Sequence, residues 1–181
     1  MIKIIILDFD GTLADTSTVI LKTMQATIRE LNLPPRTDEQ CAAMIGLRLM
    51  EIPPVLFPGC GIDIDLYAAT YKRLFRVFNT KDAVQLYPNV MDTLKQLKDR
   101  GYILTIASSR SHASLADYIE SLGLSSLMSY VLGADDVTKG KPDPEPVIRT
   151  LDKFALSADE ALVVGDTVFD IHMGRNAGTH T

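Results

Sequence analysis

Four short aliphatic runs, Ile2–Leu7, Tyr102–Ala107, Tyr130–Leu132 and Ala161–Val164, constrain this chain more than any other feature. Each is continuously apolar rather than alternating, as expected of strands covered on both faces in a parallel sheet. Helical spacing fills the gaps. Val90, Leu94 and Leu97 fall at i, i+4, i+7 and meet a stop at Gly101. Leu115, Ile119 and Leu122 repeat the pattern before Gly123, and Val147, Leu151 and Phe154 repeat it after Pro144 and Pro146. Ile171 to Ala177, closed by Gly178, reads as a shorter fourth helix. Strand and helix therefore alternate, which predicts an α/β fold with a doubly wound parallel sheet and a Rossmann-like core.

Residues 15–82 break the alternation. Ile20, Met24, Ile28 and Leu31 form one helical stripe, and Tyr67, Tyr71, Leu74 and Phe78 form another. Thr37 and Gln40 have the spacing of a capping box, with Gly46 as a stop beyond them. Pro34-Pro35 and Pro53-Pro54 are expected to break the segments. The reading is an inserted all-helical cap over 15–82 and a catalytic core from 1–14 and 83–181. Ala14–Asp15 and the stretch from Lys81 to Gln85 would serve as its hinge.

Composition narrows the function. The 181 residues carry a formal charge of −5, against the basic face that nucleic acid requires. No apolar run approaches the ~20 residues of a membrane span, and the N-terminus lacks a signal-peptide pattern. Cys41 and Cys60 have neither metal-site nor disulfide spacing. A cytoplasmic protein that binds neither nucleic acid nor membrane is expected.

In open α/β sheets, ligands bind beyond the carboxyl ends of the strands. The residues found there are Asp8, Asp10, Gly11 and Thr12 after the first run, and Ser108, Ser109 and Arg110 after the second. Lys141, within Gly-Lys-Pro-x-Pro, follows the third, and Gly165, Asp166, Thr167 and Asp170 follow the fourth. Carboxylates gathered at one edge need a cation among them. Oxygen donors without His or Cys select a hard cation, and Mg²⁺ is the common choice beside phosphates. A lysine and a hydroxyl opposite them suit a tetrahedral dianion, Gly11 lets backbone approach it, and a helix starting near Ser111 adds free N–H groups. The chemistry favoured is phosphoryl transfer with a carboxylate as covalent acceptor.

Asp8-x-Asp10-Gly11-Thr12-Leu13, Ser108, Lys141 and Gly165-Asp166-Thr167-x-x-Asp170 resemble, in order and spacing, the four motifs of the haloacid dehalogenase superfamily. Among its members the chain is most similar to the phosphoglycolate phosphatase-like group, which carries a helical cap. The resemblance implies Asp8 as nucleophile, Asp10 as acid and base, and Mg²⁺ held by Asp8, the Asp10 carbonyl and Asp166. Asp170 would orient metal-bound water, while Ser108 and Lys141 grip the phosphoryl group with Gly11, Thr12 and Ser109 beside it. Thr12 would also support Asp10. The implied activity is hydrolysis of a small phosphorylated metabolite through an aspartyl-phosphate. A phosphosugar mutase of the beta-phosphoglucomutase type is the alternative, although the family's His is missing from Asp15-Thr16-Ser17-Thr18-Val19. A binding paralogue without catalysis is the other.

Bland readings stand beside these. Asp8 and Asp10 are also turn residues, Ser108 and Asp170 also helix caps, and Lys141 also an ordinary loop lysine. Arg48, after Gly46, is the candidate for reading the substrate's distal group, or else a surface arginine. Lys72, Arg73 and Arg76 read as a solvated face, the tyrosine stripe as cap core, and His112, His172 and His180 show no partner pattern. Relatives continue past the position of Thr181 with a fifth strand and a final helix. The expectation is therefore an exposed apolar edge at Leu162, Val163 and Val164, from a shortened chain or one whose edge is covered by another chain, as in a homodimer.

Overall fold

The structure, a computed structural model, describes residues 1–80 and 83–181. Its frame is a four-stranded sheet in the order β5-β4-β1-β6, from β1 (Ile4–Leu7), β4 (Ile103–Ala107), β5 (Tyr130–Leu132) and β6 (Ala161–Val164). All three pairings are parallel. Side chains alternate across β1, and both faces are apolar. Ile5 and Leu7 pack with Leu94 of α5 (Val90–Asp99) and with Leu115 and Ile119 of α6 (His112–Ser121). Ile4 and Ile6 pack with Val147 and Leu151 of α7 (Glu145–Phe154) and Met173 of α8 (Val168–Asn176). This two-sided burial is the reason the β1 sequence is unbroken hydrocarbon. Each such side chain contributes roughly 1.5–3 kcal/mol.

The helical cap lies between β1 and α5. Its long helices, α1 (Ser17–Glu30) and α4 (Ile64–Phe78), enclose a separate core of Ile20, Met24, Ile28, Cys41, Ile52, Leu56, Phe57 and Tyr67. The short α2 (Asp38–Ala42) opens with the expected box: Thr37 Oγ1 accepts from Gln40 N, and Gln40 Oε1 accepts from Thr37 N. It stops at Ala42, ahead of Gly46. Pro53-Pro54 marks the start of a segment. The pair does not interrupt a helix but lies in the first turn of α3 (Ile52–Leu56), where missing N–H groups cost nothing.

The two connections between cap and core pair with each other. β2 (Ala14–Asp15) and β3 (Gln85–Leu86) form an antiparallel ribbon, Ala14 opposite Leu86 and Asp15 opposite Gln85. Ala14–Asp15 and Gln85 belong to the expected hinge; Lys81 and Asp82 lie outside the described residues.

The β6 edge differs from expectation. Val163 N donates to His180 O at 2.8 Å and His180 N donates to Ala161 O at 3.1 Å, so the last residues begin a parallel ladder on that side. Ala161 and Val163 are buried, and Leu162 and Val164 are half-buried. Among the described residues, no helix is long and apolar enough to cross a membrane.

Candidate active site

Parallel register brings the loops after β1, β4, β5 and β6 to one edge. Asp8 N donates to Val164 O at 2.9 Å, and Ser108 N to Leu132 O at 2.9 Å, so the first residue past each strand is held by its neighbour. Asp8 and Ser108 are both buried there.

Lys141 reaches this edge from the loop before α7. Its ammonium contacts Asp8 and lies 2.5 Å from Asp170 Oδ1. All three groups are buried. Burial pushes the Asp8 carboxyl up to about 7, with Asp170 and Asp10 adding to the rise and Lys141 opposing it. Burial alone would lower the Lys141 ammonium, but Asp8 and Asp170 outweigh it and hold that ammonium above the ordinary lysine value. Asp170 also accepts from Thr167 N at 3.1 Å and Thr167 Oγ1 at 2.6 Å. It therefore caps α8, as one of its sequence readings has it, and engages Lys141 as well.

Asp166 stands at the solvent side of this group. Gly11, at φ +89°, passes so close that a Cβ there would lie 2.4 Å from Asp166 Oδ2. A Cβ on Gly165 would lie 2.2 Å from Asp170 Cγ. The two glycines are what let both carboxylates lie against the backbone. Asp8, Asp166 and Asp170 each offer an oxygen within 4.8 Å of the other two. Among the described residues this is the one such cluster, and its all-oxygen donor set fits a hard divalent cation. The side-chain cluster thus contains Asp170, which the sequence placed outside the ligand set. Asp10 was assigned there through its carbonyl, and its carboxylate turns elsewhere.

Three further candidates have partners within the protein. Thr12 Oγ1 donates to Asp166 Oδ1 at 3.1 Å and so braces Asp166. Ser109 Oγ donates to Gly46 O of the cap at 2.5 Å, which commits its proton away from the anion. Arg48 Nη1 and Nη2 donate to the carbonyls of Thr138 and Val137 at 3.0 and 3.2 Å, on the loop leading to Lys141. Arg48 is therefore a clasp between cap and core. Ser108 keeps its hydroxyl proton, since its Oγ is an acceptor from Arg110 N at 3.2 Å.

Arg110 was read from the sequence without a role. Its Nη2 lies 2.5 Å from Asp10 Oδ1 and its Nε 3.2 Å from Asp10 Oδ2, a forked pair with both side chains largely buried. Asp10 outweighs burial and raises the guanidinium above its ordinary value. The cue in sequence was an arginine among motif residues, but its partner lies 100 positions away. His112, also unassigned, pairs its Nδ1 with Asp136 Oδ2 at 2.5 Å on the rim.

The haloacid dehalogenase-like hydrolase family matches residues 5–181. Pyrophosphatase PpaX of Listeria innocua is 32% identical, covering 99% of this chain and 82% of the relative. The phosphoglycolate phosphatase of Aquifex aeolicus is 29% identical, covering 99% and 83%. A crystal structure of a haloacid dehalogenase-like hydrolase from Bacteroides fragilis superposes with TM-score 0.92 at 24% identity, covering 99% and 85%. One described as a predicted phosphoglycolate phosphatase, from Haemophilus somnus, does so with TM-score 0.85 at 27% identity, covering 98% and 83%. With the family's match running from the first strand to Thr181, and with the motif carboxylates, lysine and serine converging on one sheet edge, this chain belongs to the haloacid dehalogenase-like hydrolases.

Proposed function

We propose that the chain is a Mg²⁺-dependent phosphatase that hydrolyses a small phosphorylated metabolite through an aspartyl-phosphate on Asp8. The observation that carries this reading is the buried triad of Asp8, Lys141 and Asp170 with Asp166 beside it. Two buried carboxylates around one ammonium leave negative charge uncompensated, and the cluster suits a cation that a phosphate dianion can then join. The relatives named as phosphatase and pyrophosphatase support the same chemistry.

In this reading Lys141 and the Ser108 hydroxyl hold the phosphoryl oxygens. An Asp8 oxygen attacks phosphorus, the P–O bond to the leaving group breaks, and Asp10 gives that oxygen a proton. Asp10 then takes a proton from water, which attacks the aspartyl-phosphate, releases inorganic phosphate and regenerates Asp8. Asp8, Asp166 and the Asp10 carbonyl would hold Mg²⁺, with Asp170 orienting its surroundings; when bound, the ion neutralises charge at the phosphoryl group. Residues 15–82 act as the cap that excludes bulk water during the first step.

The test is phosphate release from a panel of phosphorylated metabolites with Mg²⁺, beginning with pyrophosphate and phosphoglycolate, for the wild type and Asp8→Asn. Release by the wild type alone is expected. Equal background for both proteins overturns the reading, and conversion of a hexose 1-phosphate to its isomer without release assigns transfer in its place.

A further inference from the structure

Among the described residues, the largely buried cation Arg110 has no part in the roles assigned above. Arg110 follows β4, yet its guanidinium is not turned to the carboxylate cluster around Lys141. It forks onto both oxygens of Asp10, at 2.5 and 3.2 Å, and donates to Ser114 Oγ at 3.1 Å. Two aromatic rings stand beside it: Phe75 of α4 lies 5.2 Å away and Tyr118 of α6 lies 4.9 Å away, measured from the guanidinium carbon to the ring centres. Phe75 packs against both the cap core and the main core, so it sits where the two bodies meet. Tyr118 is tied back to the same cap helix, donating its hydroxyl to Asn79 Oδ1 at 2.6 Å just past the end of α4.

We infer that Arg110 is a positioning residue that sets the carboxylate of Asp10, with the cap supplying one side of its aromatic clamp. This rests on the phosphatase reading of Asp10. A forked guanidinium fixes the plane and direction of a carboxylate as a single hydrogen bond does not. The clamp fixes the guanidinium in turn, since cation–π contacts are strongest where water is excluded. Asp10 is thereby aimed only while α4 is docked. A Lys at 110 would keep the charge and lose the fork, and a smaller side chain at 75 would keep the ion pair and loosen its orientation.

The experiment compares two esters in steady-state kinetics with Mg²⁺. One is an alkyl phosphate, whose leaving oxygen needs a proton, and the other is p-nitrophenyl phosphate, whose leaving group needs little help. General acid catalysis is worth about 10²–10⁴-fold. Arg110→Ala is expected to lower the alkyl-to-aryl ratio of kcat by about tenfold or more, with KM changed little. Arg110→Lys should recover part of that ratio, and Phe75→Leu should lower it by a smaller factor. A parallel loss on both esters marks a merely structural residue and overturns the inference. A rise in KM at constant kcat marks a binder of substrate anion and overturns it equally. A second readout needs no turnover: the Arg110 Nε–H resonance in ¹⁵N-resolved NMR, slow to exchange in the wild type, should be lost in Asp10→Asn and should shift in Phe75→Leu. An unchanged resonance in both variants removes the coupling. Absence of hydrolysis by the wild type with this resonance behaving as expected would instead defeat the phosphatase reading alone.

Discussion

Asp8 and Asp170 share one cation. The Lys141 ammonium touches the first and sits 2.5 Å from the second, with all three residues buried. One positive charge between two negative ones, with Asp166 close by, is an arrangement that external positive charge completes. Added Mg²⁺ is therefore expected to raise the melting temperature. At a hundred times its Kd the gain is about 2.7 kcal/mol, or roughly 5–10 °C for a chain of this size. Differential scanning fluorimetry with Mg²⁺, then with a chelator, checks this. Asp166→Asn should flatten the response.

The raised Asp8 carboxyl has a signed consequence for the metal-free protein. In the folded state it titrates near 7 against an ordinary 3.8, so between those values the folded chain holds a proton that the unfolded chain has lost. Stability then falls as pH rises from about 4 to 7 and is level above that. Asp8→Asn removes this contribution while leaving Lys141 paired with Asp170. In chelator at pH 8 it should melt roughly 10 °C higher than the wild type, a difference that vanishes near pH 4. A variant that melts lower at pH 8 would show that the ion pair outweighs burial.

Gly11→Ala tests the approach between the first and fourth loops. The new methyl would meet Asp166 Oδ2 at 2.4 Å, from a backbone at φ +89° that disfavours any side chain. Displacing the carboxylate proposed to hold the ion should weaken Mg²⁺ affinity about 10–100-fold, measured by titrating activity against the free ion. Wild-type affinity in this variant would mean that Asp166 does not hold the metal.

Arg48→Ala should open the clasp on the Val137 and Thr138 carbonyls. Hydrogen bonds from a charged group contribute about 1.5–3 kcal/mol, so the docked cap should become roughly tenfold less populated and KM should rise by a similar factor for every substrate. A loss confined to one substrate would return Arg48 to the role of reading its distal group.

The fold was legible because four short aliphatic runs, alternating with helical stripes, call for strands covered on both faces. The capping box at Thr37 and Gln40 and the glycine stops are likewise local statements. What escaped depends on pairs far apart in the chain. The partner of Arg110 is Asp10, the partner of Thr12 is Asp166, and the Ser109 hydroxyl is held by Gly46. No spacing rule encodes such contacts, which exist only after the loops have met. Pro53-Pro54 marked a segment boundary, but not which side of it would be helical: such a dipeptide can follow one helix or open the next, and context alone decides.

The ribbon of β2 and β3 places the way into the cap beside the way out. Opposed Cα atoms in such a ladder are about 4.5–5.5 Å apart, so a tight turn spans the gap. An excised cap should leave a core that still closes its sheet, and a foreign helical module with adjacent ends should graft onto the same two rungs. The scaffold can thus keep its sheet edge and the carboxylates on it while exchanging the whole helical module above them.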